Sequence, residues 1–415
     1  MKTKTIRTVL ASLAGCLTLG AMAADPTISD VVVRQRWPWS RLVDIDYVLT
    51  GEVGAKADVT IKGYDGQTAL NLPLNAFSGD CYGVTPGFRK IVFDPFKTGY
   101  TNSPMTRFRV EISITNTPLY MVVDLTKSAG QEGQIEYVYP GDARLVTEGR
   151  YTNLWADVTN DVYKTDKLVL RHVSSGTFMM GSPDSELGRV STNENQHQVT
   201  LTHDYFIAIY QMTQKQWEHI TGTAPSCYWA GSSRPRDSVS YDRLRGVGCN
   251  WWASNSVVAA GSFLYKLRSV TGIDDFDLPT DAQFEYACRA GTTTALNNGT
   301  DLTNTVSDAN LNLLGRYAGS GGATGGTAVV GSYLPNDWGV YDMHGNLWEL
   351  CLDLFTAGLG TTPVTDPVGA KSGGPVTRTG RWANDAYWCR SACRNKTSTS
   401  DGGHNIGFRV VRTLK

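Results

Sequence analysis

The sequence predicts two folded parts in one chain: a small all-β sandwich over residues 26–118, then a longer mixed α+β part with few helices and long irregular loops. Three observations predict it. Val43-Asp-Ile-Asp-Tyr-Val48 and Phe108-Arg-Val-Glu-Ile-Ser-Ile114 alternate apolar and polar residues with the period of two that half-buried strands require. In the second part only three stretches, 213–221, 253–270 and 280–289, suit helices. Long Gly-, Thr- and Asn-rich segments such as Gly319-Ser-Gly-Gly-Ala-Thr-Gly-Gly326 hold too few apolar residues for a core element and read as loops. A length of 415 residues also favours more than one domain.

Taken in order, Met1-Lys-Thr-Lys-Thr-Ile-Arg7 is basic and precedes an apolar run from Val9 to Ala21 that ends in Ala21-Met-Ala23. That pattern fits a signal peptide over residues 1–23 and predicts an exported protein, periplasmic or secreted. Leu13-Ala-Gly-Cys16 also fits a lipoprotein box, which would leave the chain lipid-anchored at Cys16. No later apolar run reaches the length that spans a bilayer. Within the sandwich, of immunoglobulin or fibronectin type, Gly63-Tyr-Asp-Gly66 and Thr101-Asn-Ser-Pro104 mark turns between strands. Residues 119–167 carry one strand-like run, Leu119-Tyr-Met-Val-Val-Asp-Leu125, and otherwise read as a connection. Thr213 and Thr280 are N-cap types, Asp281 falls in a first helical turn, and Gln283 stands at a capping-box position.

With 38 basic against 39 acidic residues the net charge is -1, so the totals carry no electrostatic footprint for nucleic acid or an anionic membrane surface. Export would place Cys81, Cys227, Cys249, Cys288, Cys351, Cys389 and Cys393 where disulfides are permitted. The odd count leaves at least one thiol free or paired between chains. Cys227 and Cys249 flank a short loop and suit a bridge, whereas Cys389 and Cys393 lack the spacing of a redox CxxC motif. The six histidines, at 172, 197, 203, 219, 344 and 404, have no metal-ligand spacing.

The most informative stretch is Gly339-Val-Tyr-Asp-Met-His-Gly-Asn-Leu-Trp-Glu349, whose glycines, aromatics, carboxylates and amide suit an ordered loop. It resembles the signature of the formylglycine-generating enzyme family, the sulfatase-modifying-factor domain. Gly176-Thr-Phe-Met-Met-Gly-Ser182, Leu201 to Thr213, Val239-Ser-Tyr241, Leu278 to Ala287 and Asn405-Ile-Gly-Phe-Arg409 resemble further family segments in the same order. The resemblance covers residues 168–413 and implies a C-type-lectin-like fold. It also implies a calcium site made by Asp342, the carbonyls of Gly345 and Leu347, and Glu349, a hard-oxygen set suited to that ion. A second family calcium site would begin at Asn310-Leu311, but its downstream aspartate falls near Gly322 and the site is lost.

Family members that oxidise a substrate cysteine to formylglycine carry two copper-binding cysteines after an aromatic turn. Aligned on Trp382, the first of these positions is Asn384, while Cys389 either falls on the second or belongs to an ordinary framework stretch. Cys389 is the one catalytic candidate, and copper is not expected, because Cu(I) prefers a thiolate pair. The segment 378–404 is instead rich in residues of binding surfaces: Trp382, Asn384, Asp385, Tyr387, Trp388, Arg390, Arg394 and His404. Ala383-Asn-Asp385 further resembles proteins of this fold diversified by retroelements. These features favour a scaffold that binds a protein or glycan ligand. The alternative is a formylglycine-generating oxidoreductase acting on exported sulfatases.

Overall fold

The computed structural model describes residues 26–36, 40–51, 57–70, 72–73, 76–98, 100, 107–115, 118–139, 142–157, 160–249, 257–370 and 372–414. The signal-peptide and Cys16 expectations lie outside these residues. The described chain divides into two compact units, one within Met1–Thr117 and one over Pro118–Leu414.

The first unit holds a four-stranded sheet, in the order Thr27–Gln35, Val43–Thr50, Gly87–Phe93, Phe77–Gly79, and a three-stranded sheet, Thr68–Ala69, Asp58–Asp65, Phe108–Thr115. Val43–Thr50 buries every second residue, as its sequence alternation requires. Ile45, Tyr47, Ile91 and Phe93 of one sheet share a core with Val59, Ile61, Val110 and Ile112 of the other. Two sheets closed over one apolar layer make a β-sandwich.

The second unit is mixed, with mostly short strands, few helices and long loops. Its six-stranded sheet runs Phe276–Asp277, Val411–Thr413, Tyr205–Ala208, Lys167–Val173, Tyr120–Asp124, Ile135–Val138, all antiparallel. Residues 119–167, expected as a connection, therefore supply two strands of this sheet. The physical reason is that Tyr120, Met121, Val122 and Val123 are all buried, so the run belongs inside a core rather than over its surface. A second sheet pairs Asn395–Lys396, Pro375–Arg378, Trp348–Leu354 and Ile406–Gly407, with every residue of Trp348–Leu354 buried.

Four helices matter for the site. Helix α1 (Gln214–Thr221) and helix α4 (Asp281–Arg289) begin in full capping boxes, Thr213 with Gln216 and Thr280 with Gln283, and so start where the sequence indicates. Helix α2 (Tyr241–Arg245), capped by the Ser240 side chain, is one turn that sequence periodicity is too short to reveal. Helix α3 (Phe263–Thr271) starts at the Ser262 cap, later than the expected 253.

Around α4 the interior is ionic. Arg378 pairs with Asp281 at 2.5 Å and Glu285 at 2.9 Å, and Arg394 reaches the other Asp281 oxygen at 2.6 Å. Burial alone would raise Asp281, yet Arg378 and Arg394 hold its carboxyl below the ordinary value. Cys227 and Cys249 are free thiols, so the expected bridge is not formed. Cys227 instead lies 3.3 Å from the Arg236 guanidinium.

Candidate functional site

The loop Gly339–Glu349 is bound into its surroundings by backbone hydrogen bonds. Asn346 donates to the Arg316 carbonyl at 2.7 Å, Gly345 to that of Thr379 at 2.7 Å, and Trp348 to that of Asn405 at 2.9 Å, while Trp382 donates to the Asn346 carbonyl at 2.9 Å. Gly345 has φ 92°, and a Cβ there would meet the Arg316 carbonyl oxygen at 2.2 Å, so only glycine allows this approach. These bonds draw the 379–384 turn and the 403–406 turn against the signature loop. His344 adds two more ties: its Nδ1 donates to the Cys389 carbonyl at 2.6 Å and its Nε2 accepts from the Asn297 amide at 3.1 Å. Burial pushes this imidazole down to about 4, so it is a neutral tether.

Three of the four expected calcium oxygens converge. The carbonyls of Gly345 and Leu347 and Glu349 Oε1 lie 3.3, 3.2 and 2.9 Å from one atom, Gln211 Nε2. The fourth residue, Asp342, is fully buried; its Oδ2 accepts from the Gly331 amide at 2.8 Å, and its Oδ1 has no hydrogen-bond partner among the described residues. Gln211 Oε1 is likewise a buried acceptor without a donor. Burial raises the Asp342 carboxyl to about 6, with Glu349 adding to the rise and the Gly331 amide and Arg409 opposing it. Arg409 pairs with both Glu349 oxygens, at 2.6 and 2.7 Å. Gln211 and Arg409 thus already serve Gly345, Leu347 and Glu349, and the two buried oxygens left without a donor, Asp342 Oδ1 and Gln211 Oε1, are hard acceptors of the kind a hard cation takes. Gln211 was not foreseen, and as a lone amide before a helix it carries no signal in the sequence.

Above the loop four rings form a connected surface cluster. Tyr228 packs on His404 at 4.8 Å and on Trp229 at 5.3 Å, and Trp382 packs on Trp229 at 5.9 Å and on His404 at 6.1 Å. Tyr228 is 66% exposed and His404 is exposed, while Trp229 and Trp382 are half-buried. The glycine-rich segment forms a helical turn, Gly322–Gly325, that backs this cluster; a Cβ at Gly326 would lie 2.0 Å from the Trp229 ring. Sequence reasoning placed Trp382 and His404 here but missed Tyr228 and Trp229, which lie about 150 residues upstream. A second group, Trp348, Trp388 and Tyr387, packs at 5.9 and 4.9 Å.

The remaining expected ligand residues divide. Asn384 and Asp385 are half-buried in the 381–388 turn, where Asn384 Oδ1 accepts from the Arg381 amide at 3.1 Å. Tyr387 packs partly against the apolar cluster of Leu296, Leu302 and Leu311. Arg390 and Arg394 are corrected to framework. Arg390 is buried between Glu186 and Glu194, at 2.5 and 2.8 Å, and Arg394 is spent on Asp281 and the carbonyls of Asn193 and Thr356. Neither guanidinium has a free edge for a ligand. Cys389 is also fully buried, and burial together with the adjacent Cys393 pushes its thiol well above the ordinary range. It is not poised as a nucleophile.

Residues 158–414 match the family described as the sulfatase-modifying factor enzyme 1-like domain. The chain belongs to this family. A formylglycine-generating enzyme from Thermomonospora curvata is 30% identical over 202 residues, 45% of this chain and 62% of that protein. Chaperone protein LppX from Paenibacillus barcinonensis is 24% identical over 245 residues, 52% of this chain and 82% of that protein. The structure of PvdO from Pseudomonas aeruginosa aligns with a TM-score of 0.49 and 26% identity over 60% of this chain and 95% of that one. The chain spans less than two thirds of the length of the formylglycine-generating enzymes that it matches. Among the described residues, no helix is long and apolar enough to cross a membrane.

Proposed function

We propose that this member of the sulfatase-modifying-factor family is an exported binding protein whose protein or glycan ligand lies on the rings of Tyr228, Trp229, Trp382 and His404. The observation that carries the reading is that cluster: four aromatic rings from three separate segments, at 228–229, 382 and 404, two of them open to solvent. Large rigid rings supply contact area at small entropic cost, which is why they dominate binding hot spots. Asn384 supports the same reading, since an amide cannot replace the first copper-binding thiolate of the enzymes that the chain resembles. Calcium held by Asp342, Gly345, Leu347 and Glu349 would stiffen the loop beneath the surface by neutralising the buried Asp342 carboxylate, which has no cation beside it as Glu349 has Arg409.

Identity of 30% to a formylglycine-generating enzyme favours a second reading, oxidation of a cysteine in exported sulfatases. An array of glycans and peptides probed with wild type and with the Tyr228→Ala, His404→Ala double variant tests the first. Hits of the wild type should weaken by about 2 kcal/mol, roughly thirtyfold, in the double variant. Its melting temperature should hardly change, since both side chains are exposed. Hits that survive unchanged would move the ligand site elsewhere.

A further inference from the structure

Among the described residues, seven buried arginines each have a carboxylate within ion-pair distance, as Arg245 has Asp277 and Arg409 has Glu349. Arg236 does not. It is 1% exposed, and its guanidinium donates only to the carbonyls of Ser226 and Ser238 and to the Cys227 thiol, each at 3.3 Å, the long end of the hydrogen-bond range. Its Nε has no partner at all among the described residues. A buried cation without a counter-anion is costly, and proteins ordinarily pair it.

A second cation makes the deficit larger. Arg236 and Arg243 both approach the ring of Trp217, with guanidinium carbons 4.6 and 5.2 Å from its centre. Phe263 stacks on one face of that indole at 4.7 Å, so the two arginines share what remains of the ring. Arg243 is exposed and has no ion-pair partner among the described residues. Asp237, the next residue in the chain, attracts Arg236 but stands beyond ion-pair distance of it, and both neighbouring acids spend their oxygens on other donors. Asp237 accepts from the amides of Tyr228 and Trp229 and from the Ser238 hydroxyl, and Asp242 accepts from the Thr399 hydroxyl. Burial holds the Arg236 guanidinium below its ordinary value, and the charge of Arg243 adds to the fall.

We infer that Arg236 and Arg243, over Trp217, form an oxyanion-binding site that takes a carboxylate, sulfate or phosphate group. Exposed Arg243 meets the anion, and buried Arg236 supplies the second, desolvated charge, which strengthens the attraction because water screens it poorly. The aromatic platform of Trp217 fixes both heads, so little side-chain freedom is lost on binding. Cys227, half-buried beside Arg236, stands next to Tyr228 in the sequence, so the site borders the aromatic surface. It does not depend on that surface being a ligand site.

Isothermal titration calorimetry of the full chain with sodium phosphate, sodium sulfate and sodium acetate, each against sodium chloride at equal ionic strength, tests the site. At least one oxyanion should bind saturably where chloride does not, and Arg243→Gln should weaken it at least tenfold while melting as the wild type does without anion. Arg243→Lys, which keeps the charge, should retain part of the affinity. A response to phosphate and sulfate alone identifies a tetrahedral oxyanion, and a response to acetate identifies a carboxylate. No saturable heat from any of the three, or equal affinity in Arg243→Gln, would overturn the assignment.

Discussion

Arg390→Met is expected to cost about 3–5 kcal/mol of folding stability, the range found when one partner of a buried ion pair is removed. In the native chain Arg390 satisfies Glu186, Glu194, the Tyr387 carbonyl and the Gly188 carbonyl at once. Its loss leaves two carboxylates in the interior without a cation. Burial already holds the Glu186 carboxyl above its ordinary value with Arg390 beside it. Without Arg390 the folded state would hold a proton there still more tightly than the unfolded chain. The added stability of that protonated form is present at low pH and disappears as pH rises, so the variant's deficit should shrink on acidification. Chemical denaturation at two pH values measures it. A loss below about 1 kcal/mol would mean that Arg390 is exchangeable and could serve a ligand after all.

The second large effect concerns Asp342. Its folded carboxyl stands at about 6, above the roughly 3.9 of an unfolded aspartate. The folded state therefore binds the proton more tightly, which contributes stability below about pH 4 that is lost as pH rises through about 6. A shift of two units corresponds to about 3 kcal/mol. In the presence of a chelator at pH 7.5, Asp342→Asn should accordingly be more stable than wild type by up to about that amount, because the amide keeps the bond from Gly331 without the buried charge. At pH 4 the two should melt alike. Added calcium should raise the melting temperature of wild type, since a ligand that binds only the folded state stabilises it, and should raise that of the variant much less. Equal calcium responses would remove Asp342 from any cation site.

What the sequence made legible follows the range of the interactions involved. The N-cap threonines Thr213 and Thr280, the latter with Gln283 at the capping-box position, are local signals, and they placed two helix starts to within a residue. The two sandwich sheets announced themselves by alternation. The signature loop was visible because its glycines and polar side chains are contiguous. By contrast, Arg390 and Arg394 look like hot-spot residues in one dimension, and only the fold brings Glu186, Glu194 and Asp281 to them from about 100 to 200 positions away. Tyr228, Trp229 and Gln211 were missed for the same reason: each meets the site through contacts between distant segments. The run at Tyr120–Asp124 was visible as a strand, but its place within the second unit depends on pairing with Lys167–Val173.

The central proposal is that the chain binds a ligand and does not oxidise a cysteine. A peptide carrying the sulfatase cysteine motif, incubated with the full chain, copper(I) and oxygen and then weighed by mass spectrometry, tests this directly. Asn384 offers no thiolate and Cys389 is buried with its thiol protonated, so the peptide is predicted to keep its sulfur. Loss of the sulfur with formation of an aldehyde at that cysteine would contradict the account.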